Sequence, residues 1–284
     1  MPAMNSTQHH GLVKVRGGIR RIGRLFPSVF LTALALVCLA FSAAAAGLPA
    51  CLPPVAAGGA KVIGAQDNGV LALENGRTVK LEGLLWPGEA DGAPEDVHRQ
   101  TLSGLKQLVL GRSLILQTRA PRLDRYGRLR IQAVLPDGRW VQREMLRLGL
   151  ARVSIPPDRR ECARELYAAE AEARSARTGL WAVAAYAIRA PESLRWRDLG
   201  TFQIVEGKVV SAKVSAGRAY LDFGRNWRTD FTVTIAPEDM KTFRHAGVDP
   251  YSYAGKIVRV RGYIDRLHGF EIDAASPEAI EVLK

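Results

Sequence analysis

Asp124-Arg125-Tyr126-Gly127-Arg128-Leu129-Arg130-Ile131-Gln132-Ala133-Val134-Leu135-Pro136-Asp137-Gly138 is the stretch whose reading decides the fold. Leu129, Ile131, Ala133 and Leu135 fall at alternate positions, the period of a half-buried strand. Turn residues bound the strand on both sides, Tyr126-Gly127 before it and Pro136-Asp137-Gly138 after it. Three arginines, Arg125, Arg128 and Arg130, leave the turn and enter the strand. A guanidinium offers paired donors and a charge that is never titrated away, which suits a phosphate. The same run also reads as a solvated basic turn.

Working outward, Trp140 to Val153 reads as an amphipathic helix closed by Gly149 and followed by a short apolar strand. Glu161 to Arg177 reads as a further helix, stopped at Thr178-Gly179-Leu180-Trp181. Upstream, strands are expected at Lys61–Ala65, Gly69–Glu74 and Arg77–Leu81, the last two joined by Asn75-Gly76, a strong hairpin signal. Glu95–Leu110 carries a helical stripe of Val97, Thr101, Leu105, Leu108 and Val109, and Ser113–Thr118 reads as a strand. A D-x-Y-G-R turn, a hairpin with its own D-G, a helix ending L-x-x-G-L-A-x-V and a helix ending G-L-W together resemble the staphylococcal nuclease (thermonuclease) family. The resemblance covers about residues 61–181. It implies a mainly β, α+β architecture with a five-stranded OB-like barrel, and the order of strands and helix describes the same barrel.

The chain has 284 residues, 47% of them hydrophobic, enough for one large core or two small ones. Its net charge is +12, and the twelve arginines between Arg112 and Arg160 face only Asp124, Asp137, Glu144 and Asp158. A field of that sign attracts polyanions. Residues 1–47 hold Lys14, Arg16, Arg20, Arg21, Arg24 and no acid, and Val29 to Ala46 is an apolar run ending in small residues. This order reads as an export signal, or as an uncleaved membrane anchor, because eighteen apolar residues just span a bilayer. The protein is therefore expected in the periplasm or outside the cell. Beyond that segment two cysteines remain, Cys51 and Cys162, and in an oxidising compartment they are expected to pair. Residues 48–60 read as a flexible lead-in.

Active members of the family bind one calcium ion with two aspartates, activate water with a glutamate and clamp the phosphate with two arginines. Carried over residue by residue, the metal aspartates fall on Gly69 and Leu85, the glutamate on Gly88, the first arginine on Lys80 and the second on Arg128. Calcium needs several hard oxygen donors, and hydrocarbon or bare backbone offers none at these positions. The resemblance thus implies a degenerate catalytic motif, and no cofactor is expected. In an alternative, Asp67 and a slipped Glu89 rearrange the site around calcium, with Arg128 and Lys80 as its cations. Trp86 either caps the barrel or fills the vacated metal pocket and offers a stacking surface.

Residues 182–201 read as a linker. From Phe202 the pattern repeats: strands at 202–213, 218–223 and 230–235, a helix at 237–245, strands at 256–264, 270–274 and 279–283. This resembles a second OB-like barrel over residues 202–284. Phe223, Arg225, Trp227, Arg228 and Phe231 gather in one hairpin, either a stacking platform or core residues with a capping tryptophan. His9, His10, His98, His245 and His268 are scattered, with no zinc spacing. Three functions are expected to compete. The first is an exported binder of nucleic acid or another anionic polymer, using Lys80, Trp86, Arg125, Arg128 and Arg130. The second is an active phosphodiesterase, and the third an envelope module whose barrels bind protein.

Overall fold

The computed structural model describes residues 49–283, apart from 54, 89, 90, 92, 121 and 122. The expected export signal or anchor and Glu89 lie outside the described residues. The chain begins with β1 (Val55–Ala65), β2 (Val70–Leu73), β3 (Thr78–Leu81) and the short β4 (Leu84–Leu85). Helix α1 (Glu95–Val109), β5 (Ser113–Gln117), β6 (Leu129–Val134), α2 (Val141–Arg147), β7 (Arg152–Val153) and α3 (Ala163–Ser175) follow. Five strands close a barrel in the order β1-β2-β3-β6-β5, with β3 and β6 parallel and Lys80 opposite Arg130. The alternation in β6 puts Leu129, Ile131 and Ala133 into the core with Leu71, Leu81 and Leu116. The apolar stripe of α1 is the one expected: Val97, Thr101, Leu105, Leu108 and Val109 are its buried residues.

Two motif glycines hold the chain crossing beneath α3. Gly149 and Gly179 both have left-handed φ, 63° and 58°. A Cβ on either would run into the backbone of the other segment, and Leu180 N–H donates to Gly149 O at 2.8 Å. Only glycine combines that conformation with so close an approach.

The second half comprises β8 (Phe202–Lys208), β9 (Ser211–Ser215), β10 (Arg218–Asp222), β11 (Thr232–Ile235), α4 (Met240–His245), β12 (Ile257–Tyr263), β13 (Asp265–Arg266), β14 (Phe270–Asp273) and β15 (Ile280–Val282). β11 and β14 pair in parallel, and β8 and β12 antiparallel, which repeats the pairing of β3 with β6 and of β1 with β5 in the first barrel. Hydrogen bonding here makes two sheets, β13-β14-β11-β10-β9 and β15-β12-β8, around a separate core of Val205, Leu221, Val233, Phe243, Val258 and Ile272. Phe231 is buried, and Phe223 stacks beside it with ring centroids 5.0 Å apart.

Three stretches differ from the sequence reading. The expected lead-in forms the first half of β1, pairing Val55 with Gln117 and Ala60 with Leu114. Barrel closure supplies those backbone bonds, and a run of alanine and glycine carries no periodicity to announce them. The strand expected over 202–213 breaks at Val209-Val210, where the chain passes from one sheet to the other. The linker is docked, because Arg189 N–H donates to Ile204 O and Glu206 N–H to Arg189 O, both at 2.8 Å, while Tyr186 is buried.

Side chains join the halves. Arg261 of β12 is buried, and its Nη1 lies 3.0 Å from Oε2 of fully buried Glu170 on α3. Its Nη2 reaches Glu281 at 2.6 Å, and its guanidinium lies over the Tyr167 ring at 4.2 Å. Arg152, also buried, donates to Phe202 O at 2.7 Å and to Asp91 at 2.6 Å. Cys51 and Cys162 form the expected disulfide, tying the start of the described chain to α3 across a separation of 111 residues. Removing one partner of a buried ion pair strands the other charge in a medium of low polarity. Arg261→Ala is therefore expected to lower unfolding free energy by about 3–5 kcal/mol in a urea titration, more than Arg261→Met paired with Glu170→Gln. Equal losses in the two proteins would contradict this.

Candidate functional site

The turn before β6 is built by Asp124. Its Oδ1 accepts the backbone N–H groups of Tyr126 and Arg128, each at 2.9 Å, and its Oδ2 accepts Arg128 Nε at 2.7 Å. This is the Asx chemistry that the D-x-Y-G-R spacing encodes, with Gly127 at φ 73°. Burial pushes the Asp124 carboxyl upward, but the hydrogen bonds from Arg128 and Tyr126 outweigh it and hold it below the usual carboxylate range. Tyr126 stands exposed between two cations: the Arg125 guanidinium is 4.8 Å and that of Arg128 4.6 Å from its ring centroid.

Lys80 reaches the same place from β3, and its Nζ donates to Asn68 O. Burial, and then the charge of Arg128, push its ammonium below the ordinary lysine range. These groups line an open groove of about 530 Å³ that also runs past Leu123, Ser154 and Pro156. Among the described residues only Nε of the Arg128 guanidinium is engaged, so both terminal nitrogens remain for an anion.

Arg130, expected to hold an anion, lines the same groove and is paired with carboxylates. It pairs with Glu82 and is held bidentately by Asp158 at 2.7 and 3.0 Å. Arg159 approaches the other Glu82 oxygen at 3.5 Å. Burial raises the Glu82 carboxyl against the pull of Arg130 and Arg159. The strand arginine thus has its own carboxylates, which stand 48 and 28 residues away in the chain. Asp124, Tyr126 and Glu82 were not among the sequence candidates. The D-x-Y-G-R spacing carries a signal for the first two, whereas no local pattern marks Glu82.

Trp86 is 8% exposed, and its indole lies directly on Gly69, whose φ is 77°. A Cβ at position 69 would clash with the atoms of the Trp86 ring. The position carried over for one metal aspartate is therefore filled by a ring that tolerates no side chain, and Leu85, which pairs with Arg152 across β4–β7, is hydrocarbon. Asp67 is exposed on the β1–β2 turn. Among the described residues no group of three or more His, Cys, Asp or Glu is gathered to hold a metal ion. The side chains around Gly69 do not fit a calcium ion held by carboxylates.

Residues 97–183 match the family model described as Staphylococcal nuclease homologue, so this stretch is similar to that family. No curated protein matches the chain.

Two outcomes check this geometry. Gly69→Ala is expected to destabilise by about 1–3 kcal/mol through overpacking and a strained φ, and the overpacking part of that loss is expected to vanish when Trp86→Ala is combined with it, while the φ strain stays. Strict additivity in a double-mutant cycle would contradict the contact. Because the Asp124 carboxyl is held low in the folded state, its stabilisation is full above the unfolded value of about 3.9 and is lost as pH falls through the lower folded value. The stability gap between wild type and Asp124→Asn is expected to shrink only at that acid end in a pH series of denaturant titrations. A gap that closes near neutrality would count against the turn.

Proposed function

We propose that this protein, built around a staphylococcal-nuclease-type domain, is an exported binder of single-stranded nucleic acid that holds the phosphodiester backbone without calcium-dependent hydrolysis. The observation that carries this reading is an Arg128 that keeps two donors for a phosphate, in a barrel whose Trp86 indole lies on Gly69. Hydrolysis on the family's plan needs a cation to stabilise developing charge and a positioned carboxylate to activate water. The residues at the corresponding positions are glycine, leucine and glycine.

Binding asks for less. Arg128, prealigned by Asp124, offers its two terminal nitrogens to one phosphate, while Lys80 faces the same oxygens as a compact charge. An anion there also offsets the repulsion between Arg128 and the Lys80 ammonium. Exposed Tyr126 and Arg125 supply a ring and a further cation for the adjoining nucleotide. The Cys51–Cys162 disulfide supports an oxidising compartment, consistent with export. None of the described helices is long and apolar enough to cross a membrane.

Phosphate contacts release counterions, so affinity for a single strand is expected to fall with salt at a slope of about 0.7 per neutralised phosphate. Arg128→Ala is expected to weaken binding about tenfold or more and to flatten that slope by roughly one phosphate's share, equally for all sequences, as read by fluorescence anisotropy. Affinity and slope unchanged in Arg128→Ala would remove the groove from the account.

A further inference from the structure

We propose a second site, separate from the Arg128 groove: a surface on the carboxy-terminal half that stacks the bases of single-stranded nucleic acid on Trp196 and Trp227. Trp227 lies in the β10–β11 hairpin and is 43% exposed, and Trp196 lies in the docked connector and is 65% exposed. The loop between β13 and β14 brings them to one surface. His268 meets the edge of Trp227 with ring centroids 4.9 Å apart, and Phe270, two residues on, meets Trp196 at 5.3 Å. Gly269, between them, packs on the backbone of Thr229 and Asp230, which fixes one hairpin on the other. A cavity of about 350 Å³ opens beside these rings, lined by Phe223, Phe231, Phe270 and Leu194.

Each tryptophan carries its own cation. The Arg228 guanidinium lies 4.6 Å from the Trp227 ring centroid, and that of Arg266 lies 5.1 Å from the Trp196 ring centroid. Lys213 adds a third cation, 5.6 Å from Trp227. Among the described residues neither Arg228 nor Arg266 pairs with a carboxylate. Of the acids nearby, Asp222 accepts Lys213 at 3.1 Å, Asp230 accepts Asn226 N–H at 2.9 Å within its own turn, and Glu192 lines the cavity.

This chemistry selects the ligand. An aromatic ring gains most by covering its face with another flat system, and a guanidinium beside it keeps its edge donors for a phosphate. A neutral glycan would stack its C–H face on bare rings, but it would leave two unpaired guanidiniums without an anion. A single strand supplies both base and phosphate. Because residues 182–284 carry only a small basic excess, 15 basic against 13 acidic residues, stacking contributes more here than ion release. The salt dependence is therefore shallow, unlike that of the Arg128 groove.

The test uses the full chain carrying Arg128→Ala with Lys80→Ala and Arg125→Ala, which removes the cations of the first groove, titrated with labelled oligothymidylate of about 8 nucleotides, within the span of one OB fold. Residual binding is expected, with a shallow salt slope. Adding Trp227→Ala or Trp196→Ala is expected to weaken it at least about fivefold, whereas Trp227→Phe retains it. Both rings are exposed, so an unchanged unfolding midpoint separates this loss from misfolding. The proposal is overturned by no residual binding, by tryptophan variants that bind like their parent, or by a neutral oligosaccharide that displaces the oligonucleotide. Arg128→Ala that binds like wild type, combined with sensitive tryptophans, would sink the groove reading and leave this one standing.

Discussion

Glu170 is the carboxylate on which the described structure turns. It is fully buried on α3, and it accepts Val153 N–H at 2.7 Å and Arg261 from the second half at 3.0 Å, with Arg174 at 3.2 Å. A carboxylate buried there loses its hydration, and partners must answer its charge. Arg174 does so from the same helix and Arg261 from the second half, while Arg261 is also held by Glu281 of its own half, so the two halves meet around a shared network of buried charges. Through Val153 the same carboxylate fixes β7, and β7 holds β4 by Leu84–Val153 and Leu85–Arg152 pairing. β4 in turn delivers Trp86 onto Gly69. The docking of the second half and the seating of Trp86 on Gly69 are thus successive links of one chain of contacts.

The Trp86 indole lies on Gly69, a position where the family resemblance implies a metal aspartate. A calcium site needs several carboxylate or carbonyl oxygens at one point, and their mutual repulsion is tolerated only because the cation is there. With glycine and leucine in those positions the repulsion is gone, and the space is closed by a ring whose Nε1–H is buried without a partner among the described residues. Packing stabilises that arrangement while one hydrogen bond is forgone. Arg128 survives because its geometry is local: Asp124 sets the turn and aims the guanidinium whatever happens across the barrel.

Local chemistry was legible in the sequence and distant pairing was not. The D-x-Y-G-R turn, the stripe on α1 and the alternation of β6 each depend on residues a few positions apart, and all stand where the pattern put them. The arginine surplus between residues 112 and 160 misled in one respect. Arg130, Arg152 and Arg159 spend their charge on Glu82, Asp158 and Asp91, partners remote in sequence, so the usable field is narrower than composition implies. Trp86 left both of its readings open, because whether a ring caps a barrel or fills a vacated position depends on Gly69, seventeen residues earlier. Likewise, Trp196 and Trp227 share a surface only because the β13–β14 loop joins two segments that show no common pattern.

The most direct measurement is single-turnover degradation of end-labelled single-stranded DNA and RNA by the protein in calcium, with magnesium and manganese alongside. The account expects the strands to stay full length while they are bound. Metal-dependent cleavage that Arg128→Ala abolishes would contradict it.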